Sequence, residues 1–126
     1  MPGLLVYRFA GPLYFFNAAY FAIRVQELID SSAPPVTVFM ISAEAIVDMD
    51  WDAAEILREL HDSLKRQGIV LGIYDAKGDF RKVLMSTRLT TRSGFNLYPS
   101  LAAALTELSK IPPKEAEKVS AQISAP

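Results

Sequence analysis

Three carboxylates at alternate positions, Asp48, Asp50 and Asp52, with Trp51 set among them, form the densest group of chemistry-bearing side chains in the chain. They stand just ahead of a helical apolar stripe, where unsatisfied N–H groups and the positive end of the helix dipole stabilise negative charge. Helix capping is therefore the first expectation. The second is a partner surface, because an aromatic anchor flanked by charge is a common composition of interface hot spots. A hard cation would need more oxygen ligands than the neighbouring sequence supplies, so no metal is expected. Nor is an anion expected at a helix end that already carries three carboxylates.

A second group is basic. Lys77, Arg81, Lys82, Arg88 and Arg92 are five of the thirteen basic residues, and Asp79 alone opposes them in that stretch. If one helix persists, spacings of four, seven and four put Lys77, Arg81, Arg88 and Arg92 on one face. Such a stripe suits an anion, lipid headgroups, nucleotide phosphates or a membrane protein's cytoplasmic loops, and a plain solvated face is the simpler expectation. There is no P-loop and no dinucleotide glycine pattern. No cofactor is expected, and a nucleotide on the basic stripe is the alternative. His61 is the single histidine, without a cysteine or a nucleophile-elbow serine to work with, so it is expected to pack at a helix boundary and not to catalyse.

The elements that must position these groups follow from apolar periodicity. Leu4 to Phe9 and Leu13 to Phe16 read as two strands about Gly11-Pro12, expected to pair as an antiparallel hairpin. Asn17 stands where a helix cap belongs, ahead of Phe21, Val25, Leu28 and Ile29 at the spacing of one buried helix face. Val36 to Ile41 reads as a central strand covered on both faces. Asp52 with Glu55 resembles a capping box before Ile56, Leu57, Leu60 and Leu64, and Gly68 closes that helix. Ile69 to Tyr74 is a further strand, Phe80, Val83, Leu84 and Thr87 mark a third helix, and Leu97-Tyr98 a short strand. Ser100 caps a fourth helix carrying Leu101, Ala104, Leu105 and Leu108, stopped by Pro112-Pro113. Such an order implies an α/β fold: a mixed sheet with parallel core strands, an N-terminal antiparallel hairpin and about four flanking helices.

A chain of 126 residues, 51% hydrophobic, suffices for one core. We expect a domain over residues 1–110 and a flexible, charged tail over 111–126. Net charge of −1 gives no overall field toward nucleic acid, and none is expected as a partner. The absence of cysteine removes disulfides and thiolate chemistry and fits a reducing compartment. Mean hydropathy is +0.20, yet no run of about 20 apolar residues exists, since Gly11 to Ile23 contains Asn17 and stops at Arg24. No signal peptide is expected either, because Arg8 interrupts the opening apolar run.

The opening Pro2-Gly3-Leu4-Leu5-Val6-Tyr7-Arg8-Phe9, then Pro12-Leu13-Tyr14-Phe15-Phe16-Asn17-Ala18 and Phe21, resembles the start of STAS domains from SulP-type anion transporters. The order of elements keeps that likeness through Leu108. Val47 to Ala54 stands where the family has its switch loop. The resemblance implies a STAS (SpoIIAA-like) fold and a non-enzymatic regulatory domain at the C-terminal end of a sulfate, bicarbonate or related anion transporter. It further implies a transmembrane domain of the same chain as partner, a homodimer in the full-length protein, and a place on the cytoplasmic face of the inner membrane. Free-standing members act as anti-sigma factor antagonists and carry a phosphorylated Ser or Thr directly after the loop aspartate. Here Trp51 and then Asp52 follow Asp50, so no hydroxyl accepts phosphate there. The partner contact is thereby expected at Asp48, Asp50, Trp51 and Asp52. Of Tyr14, Phe15, Phe16, Tyr20 and Phe21, which cannot all face one way, one or two are expected to reach the surface as a contact patch.

Overall fold

A computed structural model describes residues 2–86 and 96–109. Strands β1 (Leu4–Arg8), β3 (Val38–Ser42), β5 (Val70–Tyr74) and β6 (Asn96–Tyr98) form a sheet in the order β1-β3-β5-β6, and every neighbouring pair is parallel. β3 lies at the centre and is buried at all five positions, which explains why it reads as an unbroken apolar run. Parallel pairing requires crossovers, and among the described residues four helices provide cover: α1 (Phe15–Asp30), α2 (Trp51–Arg66), α3 (Gly78–Ser86) and α4 (Leu101–Leu108). Phe21, Val25 and Ile29 of α1 and Leu57, Leu60 and Leu64 of α2 join Phe39, Ile41, Leu71 and Ile73 in one core. Phe80 and Leu84 of α3 belong to that core as well. On the other sheet face, Ala104 and Leu108 of α4 cover Val38 and Met40.

The expected antiparallel hairpin does not form. β1 runs parallel to β3, and β2 (Gly11–Leu13) runs parallel to β4 (Ile46–Met49) in a separate two-stranded sheet. Burial decides this. Leu5, Tyr7 and Phe9 pack against the core that α1 and β3 share. At Gly11, whose φ of +104° favours glycine, the chain leaves the main sheet and its N–H donates to the Ala45 carbonyl at 2.8 Å. The antiparallel component of the expected mixed sheet is thus replaced by parallel pairing throughout the described residues. β4 itself was not expected, because a four-residue strand carrying Asp48 shows no apolar run.

Two glycines hold positions that side chains would spoil. Gly68, with φ of +77°, follows the Gln67 cap of α2 as expected for a left-handed helix terminator. A Cβ on Gly72 in β5 would lie 2.9 Å from both Sδ and Cε of Met40 and 3.2 Å from Cε2 of Tyr98. Thr87, Pro112, Pro113 and the tail over 111–126 lie outside the described residues.

Candidate functional site

β2 and β4 run parallel and each leads straight into a helix, so the N-termini of α1 and α2 stand side by side. One carboxylate serves both. Asp50 Oδ1 accepts the Ala53 N–H at 2.8 Å as the N-cap of α2, and its Oδ2 accepts the Phe15 N–H of α1 at 2.9 Å. The Asp50 N–H donates back to the Leu13 carbonyl at 3.3 Å. The cap of α2 is therefore Asp50 and not Asp52, which sits exposed in the first turn. The cap of α1 likewise lies three residues before the expected Asn17, at Tyr14. Asn17 stays part of the cap, accepting the Tyr14 N–H at 2.8 Å and donating to the Pro12 carbonyl at 2.9 Å.

Asp48 is also satisfied locally. Its Oδ2 accepts the Tyr14 hydroxyl at 2.8 Å and its Oδ1 the Met49 N–H at 2.8 Å. The bond to Asp48 is the main reason the Tyr14 phenol is raised above its ordinary value, with Asp50 and Asp79 adding negative potential. Asp50 caps both helices and Asp48 is held by the Tyr14 hydroxyl and the Met49 N–H, so the two carboxylates have separate donors and form no common ligand cage. Among the described residues, no group of three or more acidic or histidine side chains is placed to hold a metal ion.

Around this polar knot the surface is aromatic. Phe15, Phe16, Tyr20 and Trp51 are 65%, 66%, 69% and 64% exposed, and Ile23 and Val47 are exposed beside them in sequence. Phe15 and Phe16 meet edge to face at 5.7 Å, and Phe16 meets Tyr14 at 5.9 Å. Three of the five aromatics weighed in the sequence reach solvent, against an expectation of one or two. Tyr14 is half-buried and Phe21 buried. The missed signal is a second periodicity: Phe16, Tyr20 and Ile23 recur at i, i+4, i+7, out of phase with the buried Phe21, Val25 and Ile29.

Lys77, Arg81 and Lys82 are exposed at the start of α3, and Lys82 meets Asp79 only at 3.9 Å in open solvent. Arg88 and Arg92 lie outside the described residues. His61 is buried on α2 and lies 3.1 Å from Asp62, which accepts from Arg58 at 3.1 Å, while Arg58 also donates to Glu55 at 2.8 Å. The hydrogen bond with His61, more than the Arg58 charge, holds the Asp62 carboxyl below its ordinary value. The pattern is that of a boundary ion-pair chain along one helix. No helix among the described residues is long and apolar enough to cross a membrane.

Comparison with known proteins adds what the geometry lacks. The profile of the family described as STAS domain matches residues 1–104. A Mycobacterium tuberculosis protein described as a probable sulfate transporter is 36% identical over 94 residues, which are 75% of this chain but 17% of that protein. The STAS domain of a SulP transporter from Vibrio cholerae superposes with TM-score 0.65 at 24% identity, covering 86% of each chain. A murine Solute Carrier 26 family anion transporter contains the same fold, with TM-score 0.76 at 13% identity over 86% of this chain and 18% of its own. An anti-sigma factor antagonist from Mycobacterium paratuberculosis shares it too, with TM-score 0.71 at 20% identity over 87% of this chain and 89% of its own.

Proposed function

The chain belongs to the STAS domain family, and from that premise we propose that it is the cytoplasmic regulatory or assembly domain of a SulP-type membrane anion transporter. The observation that carries the reading is the 36% identity to a probable sulfate transporter of which this chain spans 17%. The domain works by contact and not by catalysis. Its partner is the membrane domain of its own chain, at the cytoplasmic face of the inner membrane, in a transporter that pairs as a homodimer. The anion is sulfate, bicarbonate or a relative.

The site chemistry supports contact. Asp48 is engaged by the Tyr14 hydroxyl and Asp50 by the two helix starts, Trp51 and Asp52 face solvent, and neither residue after Asp50 carries a hydroxyl. A partner-switching antagonist, the reading that the anti-sigma factor antagonist fold would favour, depends on such a hydroxyl. Sequencing the coding region upstream of Pro2 tests the proposal: ten or more apolar segments of about 20 residues support it, and their absence makes the antagonist the better reading. Titration with ATP and GTP tests the nucleotide alternative, and saturable binding with turnover would overturn a purely contact-based role.

A further inference from the structure

The outer helical layer presents two unlike rows side by side. Along α1, Phe15, Phe16, Tyr20 and Ile23 are exposed, and Trp51 at the start of α2 extends this row across the paired helix ends. Along α2, the outward side chains Asp52, Glu55 and Glu59 recur at i, i+3, i+7 and are all exposed. Arg58 is engaged by Glu55 and Asp62, and Arg24 on α1 by Glu27 at 3.5 Å. The other cations of α2, Lys65 and Arg66, stand at its far end. On α2 the aromatic row is therefore bordered by the exposed carboxylates Asp52 and Glu55, with Asp48 and Asp50 half-buried between the helix ends. Lys77, Arg81 and Lys82 are exposed at the start of α3.

Four aromatics, each two-thirds exposed, leave roughly 400–650 Å² of largely apolar surface. That is the size of the largest apolar patch of a typical monomer, which is often functional, and at least half of the ~800 Å² per partner of a standard interface. We infer that this layer is a docking face, and that its occupant is a protein segment with an apolar side and flanking Lys or Arg residues. Charge complementarity selects that occupant. An anionic bilayer surface would be repelled by the carboxylate rim, and a second copy would bring the same acidic row back against it. Cytoplasmic loops of membrane domains carry an excess of Lys and Arg, so the inference rests on the transporter reading for where the occupant resides.

Trp51 is the single tryptophan and reports on the face directly. The probe is an amphipathic helical peptide of leucine and lysine, about five turns long. Its addition is expected to shift Trp51 emission to the blue and saturate. Tyr20→Glu is expected to weaken binding about tenfold, and the Asp52→Lys, Glu55→Lys pair several-fold at low salt. A leucine–glutamate peptide is expected to give no shift. Binding left unchanged by Tyr20→Glu, or no binding at all, would overturn the face. A shift with phosphatidylglycerol vesicles in place of the peptide would assign it to the membrane, and a shift on raising protein concentration alone would assign it to a second copy. Either result contradicts the inference. None of these outcomes bears on whether membrane spans precede Pro2, so the docking face and the transporter reading fail separately.

Discussion

Asp50 holds the first turns of two helices with two oxygens, so its removal should cost more than an ordinary cap. A lost cap destabilises by about 1 kcal/mol, and Asp50→Ala leaves donors unsatisfied on both α1 and α2, so about 2 kcal/mol is expected from urea unfolding. Trp51→Ala, one residue on, should change stability by less than about 0.5 kcal/mol, since its ring is exposed and lies outside the core. Equal, large losses for both variants would show that the ring is structural. Asp62 gives a pH signature. Its folded carboxyl titrates below the ordinary 3.8, so its stabilisation is fully present above the unfolded value and is lost as pH falls through the lowered one. Asp62→Asn should therefore flatten the decline of stability below about pH 4, measured by urea unfolding across that range. The clustering of Asp48, Asp50 and Asp52 at a helix start was legible from their spacing, but which one caps was not. That choice depends on where β4 ends, and on a Phe15 N–H brought in from 35 residues away.

At the scale of elements, packing over Gly72 is the sharpest test of the sheet's second face. Gly72→Ala would press on Met40 and Tyr98, and overpacking of this kind costs about 1–3 kcal/mol. The flexible end of Met40 sets where in that range it falls, and chemical denaturation measures it. The helices were the most readable elements. α2 announced itself by its apolar stripe, its terminal Lys65 and Arg66, and Gly68; the stop at Gly68 stands because its φ is positive. The strands were read correctly where burial on both faces made them uniformly apolar, as in β3 and β5. The N-terminal pairing was misread because Gly11-Pro12 looks like a reversal locally. The pairing partner of β1 is β3, more than thirty residues on, and no local signal names it. The exposed stripe of α1 lay in plain view as Phe16, Tyr20 and Ile23, masked by the equally apolar face beside it.

The whole molecule pairs a closed core with an open face. Phe39, Ile41, Leu71 and Ile73 are sealed between sheet and helices, whereas the outer side of α1 and the start of α2 expose aromatic rings beside carboxylates. The proposed contact role uses that contrast, because an exposed aromatic face is what a partner would cover. The proposed function places this domain in a membrane transporter chain. The most direct measurement is fractionation of cells expressing the native gene, with an antibody raised against this domain. The expected result is a chain several times longer than 126 residues, held in the membrane pellet through high-salt and alkaline washes and released by detergent. A chain of about this length, recovered from the soluble fraction without detergent, would contradict it.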